Sequence, residues 1–430
     1  MAFAASLAAL FGLTLLTGNL IAVTLILLSL VIIQFTFDGN FGVLADGLWN
    51  LFNSFLLTAL PMFILLGELM SKTGISRRIY TSLAPLFSHL PGQLVQTNIG
   101  ACTLFSAICG SSQATAAVVG AIAYDELDRQ GYKPRWIAGS LAAGGTLGIM
   151  IPPSLALIIY GWWEEVSIGR LFVAGIVPGL MTAGMFMAYI AVMAKKRPDE
   201  FPRTEVVPLG KAIRASLAVW PFLLLILVIL GTMVMGLATP TESAALGVTT
   251  TLILAAFYRQ LSVRAVWDAL VDTALVMSTI GFIIIGATVL SQALALSGAP
   301  AQAAQFIAES GLSPLLILLS IYLLYIVLGC MLAAIEMLLI TLPFTFPVVI
   351  ALGYDPVWFG IAVVMLIEIG MLTPPLGMNL FVILAISNGR MTLGELARAC
   401  IPFWLILMAG LAIITFFPEI ALFLPNLVFS

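Results

Sequence analysis

The chain is expected to be an all-α polytopic membrane protein of two inverted-topology repeats. Each repeat carries a re-entrant helical hairpin and a helix broken at Pro-Pro, the build of a secondary transporter. Three observations carry this reading. The 430 residues are 62% hydrophobic and 9% charged, with mean hydropathy +1.16, a balance no soluble domain holds. Gly131-Tyr132-Lys133-Pro134-Arg135-Trp136 returns as Gly353-Tyr354-Asp355-Pro356-Val357-Trp358. Gly148-Ile149-Met150-Ile151-Pro152-Pro153 returns as Gly370-Met371-Leu372-Thr373-Pro374-Pro375, and both pairs stand 222 positions apart (131 to 353, 148 to 370). Finally, one threading puts all of the 17 basic residues except Arg170 on one side.

Other classes fall away early. A membrane β-barrel would alternate with period two in ten-residue segments, and none appears. Cys102, Cys109, Cys330 and Cys400 lie in apolar runs and are expected to be small core residues, not disulfides or metal ligands. His89 is the sole histidine, which leaves little room for histidine catalysis or a His-rich metal site. The net charge of −3 names no partner, and nothing points to nucleic acid. The first apolar run, about 3–35, lacks a basic leader and is too long for a signal peptide.

A spanning helix needs about 20 apolar residues. Such spans are expected at 6–35, 47–70, 136–163 (broken at Pro152-Pro153), 170–194, 216–237, 240–258, 273–296, 357–387 (broken at Pro374-Pro375) and 399–424. Residues 74–90 and 261–272 read as amphipathic surface helices anchored by Tyr80 and Trp267. Two further apolar stretches are awkward: 94–124 is long for one span and short for two, and 314–350 has Gly329 near its middle with Pro343 and Pro347 in its second arm.

Basic residues set the topology. Lys72, Arg77, Arg78, Arg129, Lys133 and Arg135 flank 94–124 on both sides, so its ends share the cytoplasmic face and it forms a hairpin. Lys195, Lys196, Arg197, Arg203, Lys211 and Arg214 put the central loop there too. Segment 314–350 has both ends outside, where charge alone does not separate a hairpin from two spans; the repeat favours the hairpin. The first repeat is then 1–194, the cytoplasmic linker 195–215 and the second repeat 216–430. The N-terminus is cytoplasmic and the C-terminus periplasmic.

Pro-Pro inside an apolar span removes backbone donors and unwinds the helix upstream. Unwound backbone at membrane depth survives only where it is buried in protein or lines a cavity. Freed carbonyls suit Na⁺, and the following helix start suits a carboxylate. The tip Gly110-Ser111-Ser112-Gln113-Ala114-Thr115 adds hydroxyls; the matching tip lies near Gly329-Cys330-Met331, with Ala333 and Ala334 where the first has Ser111 and Ser112. Intramembrane acids are Glu68, Glu242, Glu336 and Glu368. Glu68 sits near a cytoplasmic end, and Glu242 starts a helix after Thr239-Pro240. Glu336 and Glu368 have no basic residue at similar depth, so a cation or proton must neutralise them. An anionic substrate would then be held by helix ends, hydroxyls and Asn379. An intramembrane serine enzyme lacks a usable base, and a passive channel does not require paired hairpins.

The stretches Gly110 to Ala116, Gly148 to Ser154, Gly169-Arg170-Leu171-Phe172-Val173-Ala174-Gly175-Ile176-Val177-Pro178-Gly179, Pro240-Thr241-Glu242 and Ile367 to Asn379 resemble the large, DctM-like membrane subunit of tripartite ATP-independent periplasmic (TRAP) transporters. The resemblance covers essentially the whole chain. It implies Na⁺-coupled import of an organic acid across the bacterial inner membrane by an elevator mechanism, with no organic cofactor. It implies two partners beside the lipid bilayer: a small four-helix DctQ-like membrane subunit and a periplasmic DctP-like solute-binding protein. One sodium site would use Ser106, Gly110, Ser111, Gly148 and Ile151; the other Gly329, Gly370, Thr373 and Met378. Substrate would lie near Ser112, Thr115, Ser154 and Asn379. Many relatives carry Asp where this chain has Ala333, so Glu336, one turn on, is the substitute. Glu336, Glu368 and Glu242 are the ion-coupling acids to consider. No four-helix block precedes Met1 or follows Ser430, so the unfused form is expected. A stand-alone, proton-coupled carrier of organic anions is the alternative.

Overall fold

The computed structural model describes residues 21–36, 42–202, 206–298, 302, 305 and 311–429. The start of the first expected span, 6–20, lies outside them. The first half contains α1 (Ile21–Thr36), α2 (Gly42–Phe52), α3 (Ala59–Lys72), α4 (Ile75–Phe87), α5 (Leu94–Cys109), α6 (Ser112–Arg129), α7 (Pro134–Met150), α8 (Leu155–Trp163) and α9 (Ile168–Lys196). A linker with short α10 (Leu209–Ser216) leads to α11 (Trp220–Val234), α12 (Pro240–Phe257) and α13 (Val263–Ser297). Then come α14 (Pro314–Gly329), α15 (Ala334–Ala351), α16 (Pro356–Met371), α17 (Met378–Ile386), α18 (Leu393–Phe416) and α19 (Glu419–Val428). Seven described helical segments are long and apolar enough to cross a membrane. The chain is a polytopic α-helical membrane protein.

α7 and α16 form the core. Every residue from Trp136 to Met150 and from Val357 to Met371 is buried, as expected of helices apolar on all faces. Small residues let neighbours close in: a Cβ on Gly145 would sit 2.6 Å from Ala116 Cβ, so α6 packs nearly backbone to backbone on α7. α5 and α6 turn back on each other at Gly110-Ser111, and both pack on α7. α14 and α15 form the corresponding pair, both against α16. A second group, α1, α3, α11, α12 and α13, packs mainly within itself and touches the rest through α3 on α5 and α8, α11 on α5 and α9, and α13 on α15.

Several boundaries differ from expectation. The expected surface helix 261–272 and span 273–296 are one 35-residue helix, α13. Ser262 caps it by accepting the Ala265 N–H at 3.1 Å, and no proline follows until Pro300. The expected span 399–424 starts at Leu393, where Thr392 and Glu395 form a capping box, and ends before Pro418, giving separate α18 and α19. Tyr80 is not an interfacial anchor. It is 5% exposed and its hydroxyl donates to Asn98 Oδ1 at 3.2 Å, because α4 packs on α5. Trp267 is 66% exposed. Cys102, Cys109 and Cys400 are buried, Cys330 half-buried, and all four are free thiols.

The repeated Gly-Tyr-x-Pro motif starts both core helices but caps only one. Asp355 accepts the N–H groups of Val357 (2.7 Å) and Trp358 (3.0 Å) at the start of α16. Lys133, its counterpart, gives α7 no side-chain cap. Asp355→Ala is therefore expected to cost about 1 kcal/mol, read as a melting temperature lower by a few degrees, while Lys133→Ala leaves the melting temperature unchanged.

Candidate functional site

In each half a helix tip is stitched to a helix break. α5 ends at Cys109; Gly110 takes φ +63 and Ser111 turns extended (φ −133), its Oγ accepting the Ala114 N–H at 3.5 Å to start α6. α7 ends at Met150; Ile151 is extended, and Ser154 caps α8 by accepting the Leu157 N–H at 3.4 Å. The two pieces meet where the Leu155 N–H donates to Gly110 O at 3.2 Å. In the second half the Leu376 N–H donates to Cys330 O at 3.1 Å. Both Pro-Pro bonds, 152–153 and 374–375, are cis.

Glycine makes both stitches sterically feasible. A Cβ on Gly148 would lie 2.5 Å from Ser111 O. One on Gly370 would lie 2.7 Å from the Cα of Gly329, and the reverse distance is 2.8 Å. Gly110 adds a positive φ that other residues adopt only with strain.

Between the tips lies a cavity of about 280 Å³. Ser111, Ser112 and Gln113 line one side, Ala333 and Glu336 the other, and α13 supplies a wall at Thr279. The starts of α6 and α15 therefore open onto one space, and their first-turn amides favour an anion there. The ends of α5, α7, α14 and α16 bring carbonyls to the same junctions, which favours a cation nearby.

The halves also cross-link. Asn379, fully buried on α17, donates from Nδ2 to Ser112 Oγ (2.7 Å) and Ala142 O (3.2 Å). Its Oδ1 has no partner, nor do Ser106 Oγ, Thr115 Oγ1 or either carboxylate oxygen of Glu368, all buried. An unpaired buried polar atom costs about 1–3 kcal/mol, so such atoms mark places where a ligand would be stabilising. Ser106 and Thr115 flank the first tip, four residues before Gly110 and after Ser111. Their hydroxyl oxygens fit a hard cation such as Na⁺.

The remaining expected residues divide. Gly110, Ser111, Gly148, Ile151 and Ser154 meet at the first junction; Gly329 and Gly370 meet at the second, with Met378 starting α17 just beyond the break. The Thr373 hydroxyl is already engaged, donating to Ile369 O (2.6 Å) and accepting from Trp404 Nε1 (2.9 Å). Glu336 lines the cavity while accepting the Ala333 N–H at 3.1 Å. Glu368 is sealed inside α16. Glu242 does not join this site: it is exposed and closes a capping box with Thr239 at the start of α12. Sequence reading missed Trp404 and the α13 wall. The hydroxyl pair Ser278-Thr279 in an apolar run is the signal that points to that wall.

Comparison with known proteins follows this geometry. Residues 7–420 match the model of the family described as tripartite ATP-independent periplasmic transporter, DctM component. The chain is 36% identical over 385 residues to the C4-dicarboxylate TRAP transporter large permease protein DctM of Pseudomonas aeruginosa, covering 89% of each chain. It is 32% identical over 416 residues to the sialic acid TRAP transporter large permease protein SiaM of Vibrio cholerae, covering 95% of each. The solved YdaH transporter of Alcanivorax borkumensis shares the fold at TM-score 0.60 and 17% identity, covering 88% of this chain and 90% of that one.

Because Gly370 meets Gly329 backbone to backbone, Gly370→Val is expected to destabilise the protein by about 1–3 kcal/mol or more and to lower its melting temperature. Gly394→Ala, with open space around it, should melt like the parent.

Proposed function

Because the chain belongs to the DctM component family of tripartite ATP-independent periplasmic transporters, we propose that it imports a small carboxylated solute, of the C4-dicarboxylate class, across the bacterial inner membrane. The observation that carries this reading is the cavity shared by the two tips. Two helix starts suited to a carboxylate open onto it, and the unpaired Ser106 and Thr115 hydroxyls stand four residues from the lining Gly110 and Ser111, behind the cavity wall. The two relatives above are named for a dicarboxylate and for sialic acid. Both solutes are carboxylates, so the shared anionic group is the feature this site must hold.

In this reading the solute's carboxylate sits against the α6 and α15 starts, near Ser112 and Thr115, with Asn379 and Ser154 fixing the floor. Bound Na⁺ supplies a positive charge beside that carboxylate, so the pair crosses the membrane with less net charge. Ser106, Thr115 and the carbonyls around Gly110, Gly148 and Ile151 would hold one ion. The carbonyls around Gly329, Gly370, Thr373 and Met378 would hold the other, with Glu336 nearby. Alternating access comes from motion of α5–α8 and α14–α17 against α1, α3 and α11–α13. The separate packing of these groups supports such an elevator. Loops rich in Lys and Arg face the cytoplasm. A DctQ-like subunit covers part of the exposed apolar face, where Leu223, Leu227 and Phe282 point outward, and a DctP-like protein delivers the solute. The inverted repeat explains why both halves stitch a tip to a break.

One observation favours a second reading. Glu368 is fully buried with both oxygens unpaired, the setting of a proton carrier. Uptake into proteoliposomes containing the partner proteins separates the two. Replacing Na⁺ with K⁺ at constant pH is expected to abolish uptake; full uptake in K⁺ that follows a proton gradient would support Glu368 instead. In the same assay Asn379→Ala is expected to cut uptake about tenfold, since it removes the amide donor that holds Ser112 Oγ and ties α17 to Ala142 O.

A further inference from the structure

One basic concavity plays no part in the proposed route. Lys133, Arg135, Arg197, Arg390 and Arg398 line a cavity of about 530 Å³ together with Glu200 and Glu395. They come from the start of α7, the end of α9 and the start of α18. In the orientation proposed above, this is the cytoplasmic end.

Both carboxylates are already committed. Glu200 accepts from Arg135 and from Trp136 Nε1 at 2.6 Å, and Arg197 lies 3.7 Å away. Burial alone would raise its carboxyl, yet Arg135 and Trp136 hold it below the usual carboxylate range. Glu395 accepts the Thr392 N–H (2.8 Å) and hydroxyl (2.9 Å) at the start of α18. Arg390 turns to Asp125 (2.7 Å) and Asp128 (3.5 Å). Lys133 and Arg398 form no ion pair among the described residues. Arg398 feels Glu395 through space, three residues before it on α18, so Lys133 is the cation left without a carboxylate among the described residues.

The repeat indicates what is missing. In the second half Asp355 fills the start of α16 with a carboxylate. The first half has Lys133 at that position, α7 has no side-chain cap although its Trp136 N–H turns back to Lys133 O at 2.9 Å, and its first residues, Pro134 and Arg135, line the cavity. A lysine cannot accept an amide hydrogen, but it can pair with something that does. We propose that this cavity binds an oxyanion, a phosphate or carboxylate group carried by an anionic lipid headgroup or by a free solute, at the helix start where the other half places the Asp355 carboxylate. Lys133 and Arg398 pair with it, and the α7 start faces it.

The test uses the purified full chain. Its melting temperature is followed against sodium phosphate, with sodium chloride at the same sodium concentration, brought to the same ionic strength with choline chloride, as the reference. It is then compared in nanodiscs of phosphatidylcholine with and without phosphatidylglycerol. Wild type is expected to gain stability from phosphate or from phosphatidylglycerol. A response to the lipid alone assigns a headgroup, and a response to phosphate alone assigns a free anion. Lys133→Asp supplies the chain's own cap. It should melt no lower than wild type while its apparent affinity falls about tenfold, as attraction becomes repulsion at hydrogen-bond range. Arg398→Gln should weaken the same response, and Lys133→Gln serves if Lys133→Asp does not fold. An identical response in wild type and in these variants overturns the proposal. So does a wild type that responds to neither phosphate nor phosphatidylglycerol.

Discussion

Two backbone hydrogen bonds carry the architecture: Leu155 N–H to Gly110 O and Leu376 N–H to Cys330 O. An apolar medium leaves no water to satisfy free amides and carbonyls, so a helix can unwind there only against other protein. Each Pro-Pro break removes helix hydrogen bonds, and each hairpin turn leaves helix ends open. Set against each other, tip and break satisfy part of one another's deficit. The remaining polar groups face a shared space. The site is thus a consequence of how the breaks are made tolerable, and glycines at 148, 329 and 370 are the steric condition for it.

The core helices make that arrangement stiff. α7 and α16 are buried along nearly their whole length and touch each other. Trp358 donates to Ile414 O at 2.8 Å and Tyr160 to Pro356 O at 2.6 Å, so the start of α16 is pinned from α18 and α8, while Asn98 on α5 donates to Ser140 Oγ on α7 at 2.9 Å. Asn379 adds the link that matters most for chemistry, since it places an amide from the second half against the hydroxyl-bearing tip of the first. The tips are chemically unequal around a similar backbone. Ser111 and Ser112 face Ala333 and Ala334, with Glu336 supplying the only carboxylate among the residues lining that cavity. A solute with one anionic end would meet different surroundings on its two sides.

Much of this was legible in the residues because it depends on backbone chemistry. Two adjacent prolines inside an apolar run announce a break, and α7 and α8 end and begin on either side of Pro152-Pro153. The Gly110-Ser111 turn was legible as well, since glycine followed by a capping serine stops one helix and starts another. Contacts between distant segments were not. Nothing in the sequence pairs Trp404 with Thr373, Tyr80 with Asn98, or Glu200 with Arg135 and Trp136. Helix α13 was split wrongly because its polar start looks like a surface segment, whereas continuity is set by the absence of proline across it. Glu242 looked like a coupling acid because an acid in an apolar run is rare. Its geometry is that of a helix cap, the alternative that Thr239 three residues earlier already signalled.

The central claim is that the junctions between tips and breaks hold Na⁺ in the folded chain. The direct measurement is the melting temperature of the purified protein in NaCl against KCl at constant ionic strength, for wild type and Ser106→Ala. A ligand that binds only the folded state raises the melting temperature by mass action. The account expects wild type to melt higher in NaCl, with the difference reduced in Ser106→Ala. Equal melting in the two salts across the full concentration range would contradict it.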